Sequence, residues 1–296
     1  MIKNFIDKKL LEYYEEASLK KYNTYRVDAK CKYLVIPKNR EEFRDLVKYL
    51  TLHEEKFLVL GNGSNVIFFS DYYDGVVILL HRLNDIKIEG EEIEVEAGYS
   101  LQKLAILTSH MGLEGLEFAT GIPGLVGASV AMNAGAYNNS LSEVVTSVVV
   151  LTPNFEFVTM TNKELKFAYR DSFFKHNQNY YVVSVSLKLV QGDAQEIMER
   201  VSKRRVRRLE TQPLDLPSAG SVFRNPEGLH AGALIEELGL KGFTIGGAQI
   251  SFKHANFIVN IGGATGKEIV QVIDRAKEEV MQIYHIELIL EQIIIE

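Results

Sequence analysis

The run Thr120-Gly121-Ile122-Pro123-Gly124-Leu125-Val126-Gly127-Ala128-Ser129-Val130-Ala131-Met132-Asn133-Ala134-Gly135-Ala136-Tyr137 joins glycines and small residues to one proline, with no charged side chain. Glycine lacks a Cβ, so its N–H can approach a large ligand closely. Strings of such N–H groups form concave sites for phosphate oxygens. The run suits a segment wrapped around a dinucleotide; it equally suits a tightly packed core loop. A second glycine loop, Gly61-Asn62-Gly63-Ser64-Asn65, favours the ligand, and Ser64 and Asn65 add phosphate donors. Two further clusters are chemical. Tyr169-Arg170-Asp171-Ser172 offers a planar guanidinium fork to a carboxylate or phosphate, or else a surface salt bridge. Ser218-Ala219-Gly220-Ser221-Val222-Phe223-Arg224-Asn225-Pro226 follows a proline-marked break; Gly220 lets the chain turn and presents Ser221, in a catalytic turn or an ordinary domain-entry turn.

Common schemes fail around these residues. The Gly61 loop starts like a Rossmann fingerprint but lacks the third glycine and a framed acidic residue, and it lacks the end of a P-loop. None of the seven histidines pairs with another ligand at metal-binding spacing, so no metal is expected. No Gly-x-Ser-x-Gly elbow occurs. A net charge of −6 argues against a nucleic-acid partner. The run Lys203-Arg204-Arg205-Val206-Arg207-Arg208 reads as a helix face supported by the pairs Glu196–Arg200 and Glu199–Lys203, either solvated or forming a positive rim near a diphosphate. The single cysteine, Cys31, excludes an internal disulfide and suits a reducing compartment. With neither a secretory signal nor a membrane-length apolar run, a cytoplasmic location is expected.

These residues need elements to position them, and 296 residues suit two or three domains. Residues 32–36 read as a strand stopped by Pro37. Arg40 to His53 has helical apolar spacing, and Phe57 to Leu60 is a buried strand feeding the Gly61 loop. Val76 to Leu80 is a further strand, residues 86–96 form a hairpin with one wet face, and Ser100 caps a helix running to His110. Strands follow at Val145–Leu151 and Tyr180–Val190, separated by a short helix that the Thr161/Glu164 capping box opens and that delivers Tyr169-Arg170-Asp171-Ser172. Asp193 and Glu196 open a helix to about Glu210. Beyond the break at 211–218 come a helix from Ala231 to Leu238, a strand from Asn256 to Ile261, a helix opened by Thr265 and Glu268, and a final strand from Glu287 to Ile295. The class is α+β, with two βα-rich lobes and a smaller α/β lobe.

The chain resembles the UDP-N-acetylenolpyruvoylglucosamine reductase family over nearly its whole length. The resemblance lies in Asn23-Thr24-Tyr25-Arg26, the Gly61–Asn65 loop, Gly121 through Tyr137, Tyr169-Arg170-Asp171-Ser172, Gly220 through Pro226, Ala231 through Glu236, Gly239 through Gly242, and His254 through Asn260, in family order. It implies a two-lobed FAD-binding domain of the vanillyl-alcohol-oxidase type (1–80 and 81–198) and a substrate domain (199–296) whose final strand returns to the FAD lobes. It implies non-covalent FAD held by Gly61, Asn62, Gly63, Ser64, Asn65, Gly121, Ile122, Pro123, Gly124, Gly127, Ala128, Asn133, Ala134 and Gly135. NADPH is the implied hydride donor, a UDP-sugar enol ether the substrate, and a monomer the working form. Tyr137, Arg170, Arg224 and Asn225 match substrate-binding positions. Arg170 matches the residue that stabilises developing negative charge, Ser221 the proton donor, and Glu291 the glutamate working beside them. The short run from Arg170 to Ser221 matches the family's form without an inserted tyrosine loop. There are departures: Asp28-Ala29 stand where paired glycines are usual, Ala128 stands for a glycine, Arg224 for a lysine, and Leu288-Ile289-Leu290-Glu291-Gln292 for Leu-Glu-Pro-Glu-Val. These leave two other readings, another flavin oxidoreductase on the same fold and a non-catalytic FAD- or UDP-sugar-binding protein.

Overall fold

Local rules set most helices. Asn39 accepts from the Glu42 amide and starts Arg40–Leu52, whose Phe43, Leu46, Val47 and Leu50 are buried. Ser100 does the same for Leu101–His110 through Lys103. Thr265 and Glu268 satisfy each other's backbone amides in a capping box and open Gly266–Tyr284. That helix buries Ile269, Val272, Ile273, Ala276 and Val280, a stripe of one helical face.

The computed structural model describes residues 2–296, and its contacts divide the chain into two units. The first comprises the chain up to Glu15, Tyr33–Gly61 and Gly75–Val206. It carries a five-stranded antiparallel sheet in the order Phe157–Thr161, Val145–Leu151, Tyr181–Lys188, Glu92–Glu96, Ile86–Glu89. It also carries most of a four-stranded sheet in which Phe57–Leu60 runs parallel to Tyr72–Leu79. One apolar core, including Phe43, Ile78, Leu83, Val95, Leu104, Val130, Val148 and Val185, underlies both sheets.

The second unit comprises Glu16–Lys32, Asn62–Asp74 and Arg207–Glu296. Its three-stranded antiparallel sheet runs Thr244–Ile245, Ala248–Ile250, Ile258–Asn260, beside the helices Ala231–Glu237 and Gly266–Tyr284. The stretches 16–32 and 62–74, read above as part of a first lobe, group here with the C-terminal segment.

The structure corrects several sequence expectations. Within the glycine-rich run, Val126–Ala131 is a helix, because Val, Ala and Ser hold an interior whose one glycine, Gly127, packs against Ala97. The final strand is only Ile293–Ile295, parallel to Val66–Phe68. Residues 287–292 precede it as a stretch bridged at Leu290 to Phe223, so they complete no sheet of their own. The strand Glu12–Ser18 and the helix Ile2–Lys8 lacked a clear period and were not expected. Arg200 does not pair with Glu196; its guanidinium reaches Glu114 (2.6 Å) and Glu117 (2.8 Å), the second of which offers a buried anion. Among the described residues no helix is long and apolar enough to cross a membrane.

Candidate functional site

The candidate residues fall into two clusters, one in each unit. In the first unit the glycine-rich run and the Arg170 turn are tied together. Ala168 and Asp171 exchange backbone hydrogen bonds (3.0 and 3.1 Å), leaving Tyr169 and Arg170 as the corner of a tight turn. Arg170 takes a φ of 53°, as the second corner of a type II turn requires. A non-glycine residue there costs roughly 1–3 kcal/mol, and such strain clusters at functional positions. Three bonds strap the turn to the run: Asn133 Nδ2 donates to Ala168 O (2.8 Å), Ser172 Oγ to Ala131 O (2.6 Å), and Arg170 Nη2 to Gly135 O (2.7 Å). Asn133 Oδ1 also accepts from Ser142 N, so its side chain works as a strut inside the protein.

Tyr137 and Asn138 join the two-residue strands Gly135–Ala136 and Asn139–Ser140, both with positive φ, 56° and 63°. That is the pair of conformations a type I′ hairpin demands, usually met by Asn-Gly. A tyrosine held there presents its ring outward. Arg204 covers it at 4.9 Å, and the Tyr137 hydroxyl donates to Arg204 O (3.3 Å). The basic run thus contributes at least one cation to the rim of this cluster.

The two glycine segments meet at Gly61, where an added Cβ would lie 2.8 Å from Ala128 Cβ. Ala128 is accommodated there because the facing position, Gly61, lacks a side chain. Gly127 is a packing glycine: its amide donates to Ala97 O, and a Cβ would lie 2.6 Å from Ala97 Cβ. Upstream, Glu117 is the residue that sequence reasoning missed. It is 6% exposed, between Leu116 and Phe118, and accepts from Arg200 and from the Gly115 amide (2.9 Å). A carboxylate inside an apolar stretch needs such partners, and that was its signal. Burial pushes Glu117 up, but Arg200 and the amides outweigh it and hold it below the usual 4.5. The stabilisation from a depressed carboxyl is present above 4.5 and is lost as pH falls through the folded value. Arg200→Met should therefore cost about 1–3 kcal/mol at pH 7. In melting curves, its deficit against wild type should shrink below pH 4.5.

In the second unit, Asn23-Thr24-Tyr25-Arg26 locks the Gly63 loop. Asn23 is 2% exposed and binds Leu19 O, Val27 O and Val27 N. Thr24 N donates to Gly63 O (3.0 Å). Gly63 has a φ of 61°, and a Cβ there would overlap Tyr22 O, so no other residue fits. The amides of Gly63 and Ser64 donate no hydrogen bond among the described residues. Two uncommitted amides in a glycine loop free of charged side chains fit a phosphate group. On that chemistry the residues suit FAD.

Ser221 and Glu291 come together through the backbone. Glu291 N donates to Val222 O (2.8 Å), Arg224 N to Ile289 O, and Phe223 bridges Leu290. Asn65 Nδ2 donates to Glu291 O (3.1 Å), so the Gly61–Asn65 loop and the closing segment are also joined. Glu291 is thereby held on both sides through its backbone. Asn256, another residue not singled out, clamps the Ser221 turn by accepting from Phe223 N (2.9 Å) and donating to Phe223 O (2.8 Å). Asn225 Oδ1 accepts from Ala231 N, so part of that side chain caps the helix Ala231–Glu237. The Ser221 hydroxyl bonds nothing among the described residues. Those residues include no group of three or more His, Cys, Asp or Glu placed to hold a metal ion.

Comparison with known proteins divides the chain by sequence order rather than by these two units. Residues 31–161 match the family model described as an FAD binding domain, which spans both glycine segments. Residues 212–295 match the C-terminal domain of UDP-N-acetylenolpyruvoylglucosamine reductase, which includes Ser221 and Glu291. The UDP-N-acetylenolpyruvoylglucosamine reductase of Caldanaerobacter subterraneus subsp. tengcongensis is 38% identical over 275 residues, 93% of this chain and 91% of that protein. That of Bacillus subtilis is 38% identical over 271 residues, 91% of this chain and 89% of that protein. The crystal structure of the Thermus caldophilus enzyme superposes with a TM-score of 0.83 at 34% identity, covering 97% of this chain and 99% of that one. At this identity over most of its length, and on the same fold, this chain belongs to the UDP-N-acetylenolpyruvoylglucosamine reductase family.

Proposed function

We propose that this protein reduces UDP-N-acetylglucosamine enolpyruvate to UDP-N-acetylmuramate for peptidoglycan synthesis. It works as a cytoplasmic monomer, with residues 1–80 and 81–198 as FAD lobes and 199–296 as substrate domain. Beyond family membership, the observation that carries the reading is the Ser221 turn, framed by backbone bonds beside Glu291 with its hydroxyl uncommitted. The Gly61–Asn65 loop and the segment from Gly121 to Gly135 hold FAD non-covalently. FAD, when bound, carries hydride from NADPH to the vinyl carbon of the substrate. The protein's own residues do the rest. Hydride addition leaves an electron pair on the adjacent carbon and its carboxylate. Arg170 stabilises that charge with a positioned cation. Ser221 Oγ gives its proton to the carbon, and Glu291, on the segment bonded to the Ser221 turn, works beside Arg170. A serine hydroxyl is a weak acid and transfers a proton only to a strongly basic centre held close by. Tyr137, Arg170, Arg224 and Asn225 bind the substrate.

The visible absorbance of the flavin tests this. NADPH without oxygen should bleach the yellow protein, and adding the enolpyruvyl substrate should restore the colour. Protein that bleaches and stays bleached keeps the flavin fold and loses the substrate assignment.

A further inference from the structure

Gln292 follows Glu291 and is 4% exposed, so its primary amide lies inside the protein. Its Nε2 faces three successive carbonyls, Ala219 O (3.0 Å), Gly220 O (3.4 Å) and Ser221 O (3.4 Å). Those atoms only accept, so the NH₂ end must point at them and the oxygen away. On the other side Oε1 accepts from the Tyr25 hydroxyl (3.0 Å). Tyr25 is fully buried, burial pushes its hydroxyl to higher pKa, and it stays a donor. Its own carbonyl accepts from Asn260 Nδ2 (2.8 Å). An unbroken chain therefore runs from Asn260 through Tyr25 and Gln292 to the turn carrying Ser221.

The turn gains from such a hold. Ala219, Val222 and Phe223 are buried, but Gly220 between them sits at a φ of 75° with nothing near a Cβ, so packing does not fix that residue. Its carbonyls converge on one amide, while Val222 O is taken by the Glu291 amide. Two consecutive residues, 291 and 292, thus grip the backbone on both sides of Ser221 and leave the hydroxyl uncommitted. A buried amide is costly unless its groups are paired, and here both ends are paired with elements of the turn and its support.

We propose that Gln292, oriented by Tyr25, is a positioning residue for proton delivery by Ser221. This rests on the reading of Ser221 as proton donor. Gln292→Met keeps the length of the side chain and removes both hydrogen-bonding ends. Tyr25→Phe removes one hydroxyl and lets the amide lose its orientation, and it decides the matter if Gln292→Met fails to fold or to retain FAD. Both are compared with wild type and Ser221→Ala. The readouts are flavin bleaching by NADPH, colour recovery at saturating enolpyruvyl substrate in H₂O and D₂O, and calorimetric affinity for UDP-N-acetylmuramate.

The expected result for Gln292→Met is recovery slowed about 10- to 100-fold, the scale of a small misplacement of a reacting group. Its solvent isotope effect should rise, with bleaching and product affinity close to wild type. Tyr25→Phe should shift the same quantities less. Recovery at the wild-type rate in both folded variants overturns the proposal. So does a loss confined to product affinity or KM, or an equal slowing of bleaching and recovery, since each marks a packing role. If Ser221→Ala recovers normally, it is the proton-donor reading that fails; if only Ser221→Ala is slow, that reading stands and Gln292 falls.

Discussion

An Arg170→Met protein should bleach with NADPH at close to the wild-type rate and recover its colour about 10²- to 10³-fold more slowly with the enolpyruvyl substrate, the loss typical of removing one preorganised charge stabiliser. Negative charge develops on the substrate only after hydride arrives, so the first half-reaction has nothing for this guanidinium to stabilise. The position is built for one residue. Its φ of 53° is strained, the corner is held by the Ala168–Asp171 bonds, and one Nη is anchored on Gly135 O. Arg170→Lys separates charge from geometry. It keeps a cation but loses the planar fork and the anchored bond, so a smaller loss in the same half-reaction is expected. Stopped-flow absorbance measures both steps. Equal rates for wild type and Arg170→Met in the second step would remove Arg170 from the chemistry.

Ser221→Ala should give the second large effect, a slowing of colour recovery by about 10²- to 10⁴-fold with bleaching spared. The hydroxyl makes no hydrogen bond among the described residues, so its removal leaves no partner stranded and the melting temperature should hold. A fall in melting temperature together with both half-reactions would mean that Ser221 supports structure. Unchanged recovery would place the proton donor elsewhere.

Helices and hairpins were legible because their signals are local. Ser100, Thr161 and Thr265 announce the helices they cap, and the 86–96 hairpin alternates around Gly90. The short strand Val66–Phe68 was not legible, because its partner Ile293–Ile295 lies at the other end of the chain. The helix Val126–Ala131 was hidden by the glycines around and within it; the one inside, Gly127, packs against Ala97, and Ala128 faces Gly61. The candidate residues were legible as types in order: Arg170 beside polar partners, Ser221 after a glycine, Glu291 near the end. Their supports were not. Asn133 and Asn65 were expected only at FAD, Asn256 and Gln292 were assigned no role of their own, and each acts through a carbonyl or amide far along the chain.

By itself the sequence determined the α+β class, the two glycine segments, the absence of Rossmann, P-loop and metal-ligand spacing, and the residue types available for hydride, charge and proton chemistry. These rest on composition, on periods of two and 3.6, and on motif order, all carried within short windows. Only the tertiary structure decided that the Arg170 turn is strapped to the glycine-rich run, that Glu117 meets Arg200, that Asn65 holds Glu291, and that Gln292 joins Tyr25 to the Ser221 turn. Hydrogen bonds and ion pairs act over about 3 Å. Which groups come that close across tens or hundreds of residues is settled by how the buried faces pack.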